Sequence, residues 1–128
     1  MYKQPNKRKV INFYSNKSEK WLPVFDDLSE RYAIKLEADS TITEFETNVQ
    51  LNSWSSEIDM TNISVATSCV FCSDFLIRCA NGKSAIREVA TRSRLGRSDF
   101  LEYLEISRRF WQAKGYTDWG VISSLEGK

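Results

Sequence analysis

The sequence predicts an α/β fold in which helices flank a central mixed β-sheet. Two stretches with apolar residues at helical spacing alternate with several short stretches of strand character, and turn signals separate them. The chain has 128 residues, of which 41% are hydrophobic and 27% charged, and these values are typical of one globular domain. We therefore expect a single domain over residues 11–128, preceded by a basic, flexible tail at residues 1–10.

The N-terminal half of the chain supplies strand and helix patterns in turn. Ile11–Tyr14 is a short apolar stretch that is typical of an edge strand. Apolar residues recur at helical spacing over Pro23–Ala38, where a proline and two acids near the start favour helix initiation. Strand patterns follow at Ile42–Leu51 and Ile63–Val65, and the polar, Ser-rich segment around Trp54 between them is predicted to be a loop.

The C-terminal half is predicted to form a hairpin, a helix and a last strand. Val70–Cys79 has the clearest period-two pattern, and an Asn-Gly pair turns the chain into a second strand over Ser84–Arg92. A helix follows from a predicted N-cap at Ser98 to the neighbourhood of Gly115, and Trp119–Ile122 forms the closing strand. The side chains expected to face inward from this helix are Leu101, Leu104 and Trp111.

The length of the hairpin loop decides which residues meet across it. A two-residue loop places Asp74 opposite Val89, whereas a three-residue loop with its glycine in the left-handed conformation places Asp74 opposite Glu88. We favour the longer loop, which brings two carboxylates together on one face of the sheet. Ala90 and Arg92 then follow Glu88 along the same side of the strand.

Composition excludes whole classes of chemistry. The sequence contains no histidine, which excludes nucleophiles activated by imidazole and zinc sites with histidine ligands. Its three cysteines, Cys69, Cys72 and Cys79, are expected to be free thiols. No apolar run reaches the ~18 residues of a membrane span, and the polar start has no hydrophobic signal region. We therefore expect a cytoplasmic protein that does not contact membranes.

Charge is distributed unevenly along the chain. Residues 1–23 carry a net charge of +5, residues 24–74 carry −8 and residues 75–128 carry +4. Such asymmetry occurs in proteins with a basic surface for nucleic acid, and also in ordinary solvated surfaces. The densest basic cluster, which we predict to contact DNA phosphates, is Arg87, Arg92, Arg94 and Arg97.

Asp74 on one strand and Glu88-Val89-Ala90 on the next have the outline of the Asp...(Asp/Glu)-x-Lys motif of restriction-endonuclease-like nucleases. In that motif the carboxylates bind Mg²⁺, and the metal activates water for attack on a phosphodiester. Other segments resemble the N-terminal catalytic domain of the TnsA-type transposon endonucleases, namely Tyr14–Lys17, Ser73–Ile77, Leu104–Trp111 and Asp118–Ile122. The resemblance spans residues 10–125 and implies a restriction-endonuclease-like core.

The resemblance places non-catalytic residues at several catalytic positions of that family. Ser29 falls where the family has a helix-borne glutamate, and Ala90 falls where it has a lysine. Asp74 is retained, Glu88 replaces a glutamine, and Ser107 replaces a further glutamate. A serine hydroxyl adds no full charge to a metal pocket, and alanine can neither orient water nor neutralise a phosphate.

The resemblance therefore implies a catalytically degraded nuclease-fold protein of a transposon, phage or other mobile-element system. Its expected partners are DNA, through phosphate contacts, and a transposase or another mobile-element protein, and we expect no cofactor. One alternative is an active Mg²⁺-dependent DNA endonuclease that uses Asp74 and Glu88 as residual catalytic and metal-binding residues. Another is a regulatory protein-binding module without DNA contact, in which the acidic residues 24–74 form the interface.

Overall fold

The structure, a computed structural model, describes residues 10–124. The basic tail predicted for residues 1–10 therefore lies outside the described residues, apart from Val10. In chain order the elements are β1 (Ile11–Ser15), β2 (Lys20–Val24), α1 (Asp27–Ala38), β3 (Ile42–Gln50), α2 (Trp54–Glu57), β4 (Cys72–Cys79), β5 (Ser84–Val89), α3 (Arg92–Leu95), α4 (Ser98–Ala113) and β6 (Trp119–Ile122). Within residues 10–124, no helix is both long and apolar enough to cross a membrane.

A mixed four-stranded sheet forms the centre of the fold. Its strands are ordered β3-β4-β5-β6, with β3–β4 and β4–β5 antiparallel and β5–β6 parallel. Strands β1 and β2 form a separate antiparallel hairpin. Helix α1 packs on one face of the sheet together with this hairpin, and α4 packs on the other. The predicted α/β architecture, with helices on both faces of a mixed sheet, is thus confirmed.

Each face of the sheet has its own apolar core. On the α1 side, Phe45, Phe75 and Val89 of the sheet are buried. On the α4 side, Leu76 and Ile86 take the corresponding positions. Because successive residues of a strand point to opposite faces, β4 and β5 each contribute to both cores. The buried residues of α4 recur at helical spacing and are Phe100, Tyr103, Ile106, Ser107, Phe110 and Trp111.

Helix α1 begins four residues later than the sequence predicted. Asp26 is its N-cap, and the Asp26 carboxylate accepts a hydrogen bond from the Ser29 N–H at 2.7 Å. Pro23 lies instead in β2, opposite Asn12. A two-stranded hairpin leaves every second N–H without a partner across the strands, so a proline is tolerated there.

Three further element predictions were wrong. Ile63–Val65 is not a strand, because its apolar residues pack on the α4-side core without a neighbouring strand to pair with. The segment around Trp54 contains α2 rather than only loop, and the buried indole donates Nε1–H to the Cys69 carbonyl at 2.8 Å. Strand β5 ends at Val89, since the chain turns into α3 at Arg92.

Helix α4 closely matches its predicted span, but two details differ. Ser98 is its first residue rather than its N-cap, and the N-cap, Arg97, makes no side-chain capping hydrogen bond. Leu101 was expected to face inward but is 49% exposed, because Phe100 before it occupies the core-facing position. The other two side chains face inward as predicted, namely Leu104 and Trp111.

The β4–β5 hairpin confirms the three-residue loop. The Cys79 N–H donates to the Lys83 carbonyl at 2.8 Å and closes the loop. Its glycine, Gly82, has a φ of +87°, in the left-handed region that favours glycine. The last pair of this register is Phe75 and Arg87, so Asp74 and Glu88 are the next residues along the two strands. The prediction that their carboxylates share one face of the sheet was wrong, because Asp74 adjoins a recess on the α1 side while Glu88 is bound by hydroxyls of α4.

One hydroxyl group attaches the β1–β2 hairpin to the edge of the sheet. The Ser18 hydroxyl donates to the Phe45 carbonyl at 2.6 Å and accepts the Phe45 N–H at 3.0 Å. The neighbouring Lys17 ammonium donates to the carbonyls of Asp39 and Ile42 at 2.9 and 2.6 Å. The turn between β1 and β2 thus binds backbone groups of β3, an edge strand of the sheet.

Candidate functional site

The backbone ladder between β4 and β5 stops one residue before the predicted carboxylate pair. Its last pair is Phe75 and Arg87. Beyond it, the Asp74 N–H donates to Oε1 of Glu88 at 3.0 Å, and the Val89 N–H donates to Oδ2 of Asp74 at 2.7 Å. Each carboxylate therefore binds a backbone amide of the opposite strand, and side chains replace the ladder at this point.

Glu88 is fully buried against α4, although it is an acidic residue. The Tyr103 hydroxyl is shared between Oε1 of Glu88 at 2.7 Å and the Cys72 carbonyl at 2.6 Å, and Oε2 of Glu88 accepts the Ser107 hydroxyl at 2.5 Å. Tyr103 and Ser107 lie one turn apart on α4, so both hydroxyls reach the same carboxylate. Hydrogen bonds between buried side chains contribute about 0.5–1.5 kcal/mol each, and they offset part of the cost of burying the acid.

Two tryptophans extend this hydrogen-bond network. The Trp119 Nε1–H donates to the Ser107 hydroxyl oxygen at 3.0 Å, and the Trp111 Nε1–H donates to the Ser73 hydroxyl oxygen at 2.7 Å. The two serine oxygens are 3.4 Å apart. Because an indole donates to Ser107, the proton of that hydroxyl is directed to Glu88. The side chains that bind Glu88 within residues 10–124 are neutral.

The surroundings of Glu88 do not fit a magnesium site. A carboxylate that binds Mg²⁺ needs a free lone pair facing space for the ion and its remaining waters. Both oxygens of Glu88 are bound by protein donors, and the side chain has no exposed surface. Among the described residues, no three His, Cys, Asp or Glu side chains are grouped so that they could hold a metal ion. The geometry makes Glu88 an internal hydrogen-bond acceptor.

Asp74 lies at a narrow recess between β2, α1 and the sheet. Ser29 and Asn48 line the same recess. The recess is too tight to hold a water molecule. Ser29, in the first turn of α1, is itself buried. The structure therefore brings Ser29 and Asp74 together, but leaves no room between them for a hydrated ion.

Ala90 is fully buried in the α4-side core. Its N–H donates to the Ile122 carbonyl at 2.9 Å, which extends the β5–β6 pairing by one residue. We expected Arg92 to follow Glu88 along one face of β5, but Arg92 begins α3 and is exposed. That prediction was wrong because the strand ends before it reaches the arginine.

The predicted basic cluster divides into two parts. Arg87 lies on β5, and its guanidinium pairs with the Asp118 carboxylate at 2.8 Å. Arg87 and Glu88 are neighbours on a strand, so their side chains point to opposite faces of the sheet. The other three arginines stay together on α3 and just after it, and we call them the α3 segment: Arg92, Arg94 and Arg97.

The arginines of the α3 segment have different surroundings. The Arg94 guanidinium lies over the Phe100 ring, 4.3 Å from its centroid. Arg97 forms an ion pair with Asp99 at 3.1 Å. Arg92 is exposed, and its side chain has no hydrogen bond or ion pair within residues 10–124. It is therefore the arginine of the segment that a phosphate can approach most freely.

The outward arginines of α4 belong to a local ion-pair group. Arg108 and Arg109 bind the Glu105 carboxylate at 2.7 and 2.6 Å. The hydrogen bonds from Arg108, and next those from Arg109, lower the pKa of Glu105 to about 2. Arg109 also donates to the carbonyls of Asp59 and Thr61 at 2.6 and 2.9 Å. This arginine therefore fixes α4 to the loop after α2.

Two features of the molecule were missed by reasoning from the sequence. The first is the role of Tyr103, whose only signal was its i,i+4 spacing from Ser107 on the closing helix. The second is an exposed aromatic pair on the β1–β2 hairpin, Tyr14 and Trp21. The alternation of β1 and β2 is a signal for this pair, but the predicted helix included the last two residues of β2, Pro23 and Val24, and no strand was predicted over the first three.

No protein-family model matches this chain, and no match is found among curated proteins. Function is therefore inferred from the sequence resemblance and from the geometry of the site.

Proposed function

We propose that this protein is a catalytically degraded, TnsA-like nuclease-fold domain that binds DNA without cleaving it. The observation that carries the proposal is the environment of Glu88, which is buried and bound by two hydroxyls and a backbone amide. A carboxylate held in this way does not present a lone pair to a metal ion. Without a metal, the chain lacks a group that activates water for attack on a phosphodiester.

The other catalytic positions of the family support the same proposal. Ser29 and Ala90 stand where the family has an acid and a lysine, and both are buried. Neither side chain carries a charge that could bind an ion or stabilise a phosphate in the transition state. A mixed sheet with helices on both faces is compatible with a restriction-endonuclease-like core.

The α3 segment is the proposed DNA contact. Phosphate contacts by arginine supply affinity and orientation without reading the base sequence. In this proposal, cleavage of the DNA is supplied by a protein partner, such as a transposase or another protein of a transposon or phage. In this proposal, exposed acids within residues 24–74, such as Glu44 and Asp59, form the contact with that partner.

A nuclease assay tests the absence of catalysis. Supercoiled DNA is incubated with the wild-type chain, or with Asp74→Ala, in the presence of Mg²⁺ or Mn²⁺. We expect neither protein to nick the DNA above the level of a reaction without protein, and a Glu44→Ala variant, which changes an exposed glutamate of β3, should behave in the same way. Nicking by the wild type that Asp74→Ala abolishes would contradict the proposal and support the active endonuclease.

A salt titration tests the DNA contact. We expect the wild type to bind duplex DNA at low salt, and each lost phosphate contact to reduce the salt slope by about 0.9. Arg92→Ala should reduce the slope in this way. Arg31→Ala is the matched control, because Arg31 is an exposed arginine of α1 without an ion pair within residues 10–124. Equal slopes for the two variants would exclude the α3 segment, and absence of binding at low salt would favour the protein-binding module.

A further inference from the structure

The outer face of the β1–β2 hairpin carries an aromatic pair that the fold does not cover. Tyr14 and Trp21 lie opposite each other in the hairpin, with ring centroids 5.2 Å apart and ring planes at 68°. Tyr14 is 44% exposed and Trp21 is 65% exposed. The remaining apolar side chains of β1 and β2 alternate to the other face and pack on the α1-side core: Ile11, Phe13, Leu22 and Val24.

Trp21 differs from the other three tryptophans of the chain. Trp54 and Trp111 are buried, and Trp119 is partly buried and donates a hydrogen bond. A cross-strand aromatic contact with Tyr14 helps to hold the hairpin together. That contact nevertheless leaves most of the Trp21 indole in water. Folding of the hairpin alone therefore does not account for an indole at this position.

The sequence that contains the aromatic pair is basic. Residues 1–18 contain five bases and no acid, and the first acid of the chain is Glu19. Lys20, next to Trp21, is exposed and has no ion pair within residues 10–124. Single-stranded nucleic acid binds to surfaces that combine exposed rings with cations, because the bases stack on the rings and the phosphates are attracted to the cations. In the described part of the hairpin, Trp21 and Lys20 offer this combination.

A protein partner fits the same surface less well. A specific protein interface covers about 800 Å² on each partner around an apolar centre. The exposed apolar surface of the hairpin consists mainly of Tyr14, Trp21 and Val10. Asn12, which is polar and exposed, lies between Val10 and Tyr14 on the same strand face. This surface is too small and too interrupted for a stable protein interface, whereas base stacking needs only a ring or two.

The hairpin also reaches the region of the proposed DNA contact. Pro23, near the end of β2, lines the same recess as Asp74. Asp74 in turn accepts a hydrogen bond from the N–H of Val89, which lies three residues before Arg92 begins α3.

We propose that the aromatic pair stacks on unpaired bases of single-stranded DNA that continues from a duplex held by the α3 segment. This inference rests on the proposed DNA binding and adds the kind of DNA that is recognised.

The test uses the full chain with an oligothymidylate of about 12 nucleotides and a duplex of equal length. Because Trp21 is the most exposed tryptophan, binding of the oligothymidylate should quench the intrinsic tryptophan fluorescence. Binding should also reduce the further quenching of that fluorescence by acrylamide.

The affinity of Trp21→Ala gives a second measurement. Loss of one stacked base corresponds to an affinity about 5- to 150-fold weaker, which we expect for Trp21→Ala with the oligothymidylate. Duplex affinity should change by less than about twofold. Leu101→Ala is the matched control, since it removes an exposed apolar side chain of α4 and should alter neither affinity.

The possible outcomes separate this inference from the proposed function. Equal affinity of Trp21→Ala and wild type for the oligothymidylate overturns the stacking, while retained duplex binding leaves the proposed function standing. Equal losses for oligothymidylate and duplex overturn the preference for single strands. No binding of either DNA by the wild type overturns both proposals. The acrylamide measurement needs no variant, so that failure of the oligothymidylate to protect the wild type contradicts the inference even where Trp21→Ala does not fold.

Discussion

Asp74 and Glu88 lie at neighbouring positions of two paired strands, but their side chains enter different surroundings. Glu88 is fully buried on the α4 side and is bound by donors from both β4 and α4. Asp74 is half-buried at the recess below α1 and accepts the amide of Val89. The register of a hairpin can bring two carboxylates opposite each other, but the helices packed on the two faces decide what each carboxylate binds.

This difference explains why the pair does not form a metal site. Two carboxylates bind one divalent ion when their lone pairs converge on a common space. Here one carboxylate is enclosed by hydroxyl donors, and the other adjoins a recess without room for water. Opposite positions on adjacent strands are therefore not enough for metal binding.

Removal of the Glu88 carboxylate should have the largest effect on stability. In Glu88→Leu, the buried Ser107 hydroxyl and the Asp74 N–H lose their acceptor, whereas the Tyr103 hydroxyl keeps the Cys72 carbonyl. An unsatisfied buried donor costs about 1–3 kcal/mol. We expect the free energy of unfolding to fall by about 3–5 kcal/mol in urea denaturation. Glu44→Leu, at an exposed position of β3, should change it by less than about 0.5 kcal/mol. Similar values for the two variants would show that the buried network contributes little.

Removal of one donor to Glu88 should have an intermediate effect. Tyr103→Phe keeps the ring, which packs on Phe71 and Phe100, and loses the hydroxyl. The expected loss in the free energy of unfolding is about 1.5–3 kcal/mol, because the Glu88 carboxylate and the Cys72 carbonyl both lose this donor. A double-mutant cycle with Ser107→Ala should show non-additive losses, because both hydroxyls bind one carboxylate. Strictly additive losses would mean that the two hydroxyls act independently.

Asp74→Ala should destabilise the protein less than either change at the α4 side. The Val89 N–H loses an acceptor, but Asp74 is only partly buried, so we expect a loss of about 1 kcal/mol in the free energy of unfolding. Asp74→Asn retains an acceptor oxygen and should lie between Asp74→Ala and the wild type. A larger loss for Asp74→Ala than for Glu88→Leu would reverse the comparison.

Glu105 offers a partly exposed carboxylate with which to compare the buried one, and its effect should be the smallest. Its pKa is lowered from 4.5 to about 2, first by Arg108 and then by Arg109. Because the folded-state pKa is the lower one, the ion pairs stabilise the protein above pH 4.5, and this contribution is lost as the pH falls towards 2. Solvent screens the group, so Glu105→Gln should lower the free energy of unfolding by less than about 1 kcal/mol at neutral pH.

Urea denaturation over a pH series checks the behaviour of Glu105. The wild type and Glu105→Gln should differ most at neutral pH and converge as the pH approaches 2. A difference that persists at that pH would come from packing rather than from the ion pairs.

Features that depend on neighbouring residues were predicted well from the sequence. An Asn-Gly pair requires a particular loop geometry, and Gly82 adopts the left-handed conformation that aligns Asp74 with Glu88. The closing helix and the strand Trp119–Ile122 were also predicted, because their apolar periodicity is long or clear.

Features that depend on distant partners were not predicted. Pro23 suits a helix start as well as an edge strand, and the pairing with Asn12 decides between them. The burial of Glu88 depends on hydroxyls that come from α4, which no pattern around Glu88 indicates. The pairing of Arg87 with Asp118 likewise joins residues 31 positions apart and removes that arginine from the predicted cluster.

The hydroxyl of Ser18 has a further consequence for the behaviour of the molecule in concentrated solution. A long strand at the edge of a sheet is a template on which another chain can add a strand and start an aggregate. By binding both backbone groups of Phe45, this side chain interrupts the row of free donors and acceptors along β3. The opposite edge strand, β6, has only four residues. Intermolecular sheet growth is thereby hindered on both sides of the molecule.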